Sequence, residues 1–236
     1  MKRLLLLASL STWLVHGASA QSFCASDGQA TPVALVERFI SADCEACWSA
    51  PQTPEPAARA LTIDWIVPSA QGFDAPLSAA ASRDALMRLE ALGRAAPATS
   101  FITSTKVRGD HAQKLRVAHG VPLGGYIGAS IELKATVMPR RPAHLSAWLV
   151  LVETIPAGAD GTPSERNLVR NVLLSQWNKP DKLSKTGQAI FREMRPLSIP
   201  QGATLARLRV VGWVQDAHGR VLSAAQSVCP HAPGIG

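Results

Sequence analysis

The sequence predicts an α/β first half followed by an antiparallel, β-sandwich-like second half. Two patterns carry this reading. Across residues 33–107, apolar runs of strand length alternate with segments that break or take helical spacing, giving strand, helix, strand, helix, strand. From Tyr126 onward the pattern has a period of two. Ile127, Ala129, Ile131, Leu133, Ala135 and Val137 share one face, and no long helix follows. The glycine-rich stretch 120–125 lies between the two textures and is a candidate boundary.

The elements follow in order. Residues 33–40 are rich in β-branched and apolar side chains and predict a strand, broken by Ser41-Ala42-Asp43. Thr53-Pro54-Glu55 reads as a helix start, with a capping hydroxyl, a first-turn proline and an acid. Residues 61–67 predict a second strand. Residues 82–92 predict a helix with Leu86, Leu89 and Leu92 on one side and Gly93 as its stop. Residues 100–107 alternate as a strand does, and Arg108-Gly109-Asp110 turns the chain. In the second half, residues 145–155, 167–174, 186–195, 205–214 and 221–228 complete the strands, the last two joined by a turn at 216–220. Trp148, Trp177 and Trp213 fall in or at the ends of strands and are expected in the core.

The N-terminus reads as an export leader. Lys2 and Arg3 precede a short apolar run, and Ala18-Ser19-Ala20 offers small residues for cleavage between Ala20 and Gln21. A periplasmic or secreted location is expected. No later stretch approaches the roughly 20 apolar residues of a membrane helix, so no stable membrane insertion is expected. The formal charge is +7, or +5 once Lys2 and Arg3 leave with the leader. The basic residues are scattered as a solvated surface would have them. No basic run interleaved with aromatics marks a nucleic-acid groove.

Four cysteines remain after leader removal, and four allow three pairings. The close pair Cys44 and Cys47 leaves Cys24 with Cys229. A bond there would tie the two ends of the mature chain and stabilise it by about 2–5 kcal/mol.

Cys44-Glu45-Ala46-Cys47 is the one chemically loaded motif. It follows directly on a predicted strand. A helix starting there would aim free N–H groups at Cys44 and favour its thiolate. The two-residue spacer lets Cys47 close a disulfide, so the pair can exchange with a partner's disulfide. Three alternatives stand beside this. The pair could be an inert structural bond. It could be half of a zinc site, although His111, His119, His144, His218 and His231 are scattered and supply no second close ligand pair. It could hold copper. Asp43 and Glu45 read as solvated surface, and Trp48 either covers the disulfide or packs at the rim of the core. No nucleophile elbow and no phosphate-binding glycine loop is present, and no cofactor is expected.

The neighbourhood of this motif resembles the thioredoxin-like superfamily. More narrowly, VALVERFISADCEACWSAP, LTIDWIVPSAQGFDAP, APATSFITSTKVRGD, AHLSAWLVLVE and ERNLVRNVL resemble a family of secreted bacterial proteins with a domain of unknown function. GWVQDAHGRVLSAAQ is similar to the closing hairpin of related thioredoxin-like outer-membrane proteins. The resemblance implies a thioredoxin-like domain over residues 21–121 and a β domain over 126–236. It implies that Pro97 is the proline that faces the CxxC and shapes a substrate groove. Cys44 would then attack, Cys47 would resolve, and the partners would be exported thiol or disulfide proteins. The alternative is a non-catalytic envelope scaffold with a structural Cys44–Cys47 bond. One departure from the family is plain. Pro51, Pro54 and Pro56 crowd the region where thioredoxins run a long helix, and each interior proline costs about 3 kcal/mol.

Overall fold

The computed structural model describes residues 24–51, 57–109, 113–136, 144–185 and 187–229. The expected cleavage site at Ala20 and Gln21 and the helix start at Thr53-Pro54-Glu55 lie outside the described residues. In chain order the elements are β1 (Cys24–Ala25), β2 (Ala34–Ser41), α1 (Glu45–Ser49), β3 (Ala60–Val67), α2 (Arg83–Ala91), β4 (Ser100–Lys106) and β5 (Gln113–His119). There follow β6 (Tyr126–Ala135), β7 (Leu145–Ile155), β8 (Arg166–Trp177), β9 (Lys182–Leu183), β10 (Ala189–Ser198), β11 (Leu208–Gln215) and β12 (Val221–Gln226).

These strands form two sheets. One has five strands in the order β1-β5-β6-β10-β9; the other has seven, β12-β11-β7-β8-β3-β2-β4. The α/β expectation, with a thioredoxin-like unit followed by a separate sandwich, is therefore corrected. The protein is mostly β, and each sheet takes strands from both sides of residues 120–125. The local predictions of β2, β3, α2 and β4 hold. Their assembly does not, because β3 pairs in parallel with β8 at Asp64 and Leu168, which adds β2, β3 and β4 to the edge of the second-half sheet. The helices, at five and nine residues, are too short to cover a sheet face as an α/β layer would. Gly124 and Gly125 adopt positive φ and turn β5 into β6 within one sheet. Glycine takes that conformation at little steric cost.

The core explains the unbroken apolar run of β7. Leu149 and Leu151 face the five-stranded sheet, while Trp148, Val150 and Val152 face α2, Trp65 and Trp213. A strand covered on both faces needs apolar residues at every position. Trp148, Trp177 and Trp213 are all buried, as expected. The apolar side of α2 is not the expected leucine row: Leu86 is exposed, and Ala85, Arg88 and Leu89 are buried.

The sheets approach each other closely at Gly212 of β11. A Cβ there would lie 2.5 Å from a Val117 methyl and 3.0 Å from Ile131. Gly212→Val is therefore expected to force the sheets apart and cost about 1–3 kcal/mol, read as a lowered urea midpoint at unchanged slope. An unchanged midpoint would show that the interface yields freely there.

Candidate functional site

Cys44 and Cys47 lie just beyond the C-terminal end of β2 and are joined as a disulfide. Both are half-buried, whereas Glu45 and Ala46 between them are exposed. The backbone here is well tied. The Cys44 N–H donates to the Ser41 carbonyl at 2.9 Å, and the Ala42 N–H to Val67 at 2.9 Å. The Asp43 carboxylate accepts from the Ser69 hydroxyl at 2.7 Å. Beneath the bridge, Ile40, Ala42, Trp48, Ile66, Ile155 and Leu168 form an apolar cluster against which both cysteines lean. Trp48 belongs to that cluster, and its indole N–H donates to the Asp160 carbonyl at 2.7 Å.

The helix α1 is a single turn with no side-chain cap at Cys44. Two buried arginines hold it from below. Arg38 of β2 donates to the Cys47 carbonyl. Arg166 of β8 donates to the Ala50 carbonyl at 2.7 Å and to Trp48 at 3.4 Å, and its guanidinium lies 5.8 Å from the Trp48 ring centre. These carbonyls are the ones a short helix leaves unpaired at its C-terminal end, where a cation also meets the negative end of the helix dipole. Ending just before Pro51, α1 is a one-turn helix fixed by guanidinium groups instead of by length.

Between the arginines sits Asp64 of β3, fully buried, with one carboxylate oxygen 3.6 Å from each guanidinium. Neither oxygen makes a close hydrogen bond, and the backbone N–H of Asn167 is the other group, besides the two guanidiniums, that favours its charge. Burial drives its carboxyl up to about 6, against the opposing pull of Arg166 and then Arg38. Burial also pushes Arg38 down to about 10, which leaves it charged at neutral pH. Sequence reasoning passed over this triad. The available signal was a charge inside each of two apolar strands, Arg38 in VALVERFI and Asp64 in LTIDWIV.

Pro97 is half-buried in the loop before β4. The Ser41 N–H donates to the Thr99 carbonyl at 2.8 Å, so this loop runs beside the same sheet end that carries the CxxC. Cys24 and Cys229, 205 positions apart in the chain, form a second disulfide. It closes β1 against the segment after β12, where Ala25 and Val228 exchange backbone hydrogen bonds at 2.9 and 3.1 Å. His119, one of the scattered histidines, lies directly across from Cys24 in the β1–β5 pairing.

Fold and site together define a β-rich, two-sheet protein with one half-exposed CxxC disulfide and one terminal disulfide. No family model and no curated protein matches the chain. A solved structure titled HBP35 of Porphyromonas gingivalis is similar over 87% of this chain and 78% of its own, at 12% identity and a TM-score of 0.48. A likeness of that size leaves the function to this chain's own residues.

Proposed function

We propose that this chain is an exported protein that exchanges disulfides through Cys44–Cys47, and that it belongs with the secreted bacterial CxxC proteins it resembles. The observation that supports this most is the placing of a half-exposed bridge over a buried guanidinium, Arg38, that is bonded to the Cys47 carbonyl. A fixed positive charge beside the cysteines favours thiolate over thiol, and a stabilised reduced form makes a disulfide more oxidising. In the exchange, a partner thiolate attacks Cys44 and displaces the Cys47 thiolate, giving a mixed disulfide. The partner's second thiolate then displaces Cys44, so the partner leaves oxidised and both cysteines are left reduced. Pro97 is assigned to the approach because its loop is tied to the sheet end that carries the CxxC through the Ser41 N–H bond to Thr99. Two closed disulfides suit an oxidising compartment. Among the described residues no helix is long and apolar enough to cross a membrane.

A second reading keeps Cys44–Cys47 as a structural bond in a partner-binding envelope protein. The uncapped single turn of α1 favours it, because so short a helix lends little to the Cys44 thiolate.

Equilibration of the native chain in glutathione buffers, followed by alkylation and peptide mapping, separates the two. Exchange requires a Cys44–Cys47 potential above about −300 mV, and Arg38→Met should make that potential more negative by about 30 mV or more. A bridge that stays closed below that potential, with no response to Arg38→Met, leaves only the structural reading.

A further inference from the structure

The terminal disulfide is more than a clasp in its surroundings. Cys24 is fully buried, Cys229 is half-buried, and the His119 ring is only 4% exposed. The two sulfurs and a ring nitrogen of His119 lie within 4.8 Å of one another. The tautomer follows from the hydrogen bond: Nδ1 is 2.9 Å from the Gly120 carbonyl, which only accepts, so Nδ1 carries the proton. Nε2 is left with a free lone pair, buried and without any partner. The ring that lies beside the two sulfurs therefore carries a buried nitrogen lone pair without a hydrogen-bond partner.

Cys24, His119 and Cys229 border a groove of about 570 Å³ also lined by Val121, Pro122, Leu205, Leu208 and Arg209. We infer that Cys24 Sγ, Cys229 Sγ and His119 Nε2 form a three-coordinate site for monovalent copper when the Cys24–Cys229 bond is reduced. Two thiolates and one imidazole are a soft donor set, suited to copper(I). Zinc would require a fourth ligand, which here only solvent could supply, whereas copper(I) is satisfied by the three. Trigonal bonds of about 2.3 Å set the ligand atoms about 4 Å apart, which the present spacing permits once the S–S bond opens. Reduction does not release the chain end, because the Ala25–Val228 backbone pair and the Ser227 N–H bond to Val210 remain. The Arg209 charge offsets the net negative charge of two thiolates and one monovalent ion.

The chemistry balances with a dithiol as reductant. The dithiol gives two electrons and two protons, becomes a disulfide, and leaves Cys24 and Cys229 as thiols. Copper(I) then displaces both thiol protons to solvent. Metal and disulfide compete for the same sulfurs, so the site is open only in the reduced chain.

The test uses the full mature chain carrying Cys44→Ser and Cys47→Ser, before and after reduction with a water-soluble phosphine. Copper(I) is titrated against a chromogenic copper(I) chelator. The reduced chain should take up one equivalent and the oxidised chain none. His119→Ala should weaken binding at least about tenfold. X-ray absorption of the loaded parent should show two sulfur neighbours and one nitrogen, a readout that does not depend on the His119 variant folding. No uptake on reduction, equal uptake by the oxidised chain, a signal from sulfur alone, or preference for zinc(II) over copper(I) would each overturn the assignment.

Discussion

Replacing Arg88 with alanine is expected to cost about 3–5 kcal/mol of folding stability. Arg88 projects from α2 into a fully buried position. Its Nε and one terminal nitrogen bind both Glu37 oxygens at 2.8 and 2.7 Å, and its other nitrogen donates to Gln215 at 2.9 Å. The guanidinium also lies 4.7 and 5.1 Å from the ring centres of Trp148 and Trp213, which are themselves stacked. One side chain thus ties α2 to β2 and β11. Its removal strands the Glu37 carboxylate, which has no exposure to water. The penalty is that of a lone buried charge more than that of lost contacts, so Arg88→Met with Glu37→Leu should recover most of it. Urea unfolding of the single and double variants measures both effects. A single-variant loss under 1 kcal/mol would contradict the account.

The second large effect is a pH dependence. The folded Asp64 carboxyl, at about 6, lies above its ordinary value of 3.8. The fold therefore favours the neutral form. That contribution is whole below pH 3.8 and is lost as pH rises through 6. Asp64→Asn carries the neutral shape at every pH. Measured against this variant, the parent should lose on the order of 2–3 kcal/mol of stability between pH 4 and pH 7. The comparison cancels groups that titrate in both chains, such as Asp27 and Asp216, whose salt-bridging or hydrogen-bonding partners lower their pKa. A constant difference across the range would mean that Arg38 and Arg166 hold Asp64 ionised throughout.

Much of the local structure could be read from the residues. Hydrophobic spacing placed β2, β3, α2, β4, β6, β7 and β11 within a few residues, because each buries one or both faces and its pattern records that burial. β5 was missed: Gln113, Lys114 and Arg116 dilute its apolar alternation. The charges on β2, β3 and α2 were legible as residues but not as partners. Glu37, Arg38, Asp64, Arg88 and Arg166 come from β2, β3, α2 and β8, far apart in the chain, and only the sheet order brings them to two buried clusters.

The sequence alone determined the secondary structure of most strands, the identity of the CxxC and the even count of cysteines, since these depend on local spacing and composition. Tertiary structure alone decided that the two textures interleave in shared sheets, that paired arginines hold the one-turn helix, and that His119 meets the terminal sulfurs. Strand pairing between distant segments depends on which faces must be covered together. No stretch of neighbouring residues carries that information.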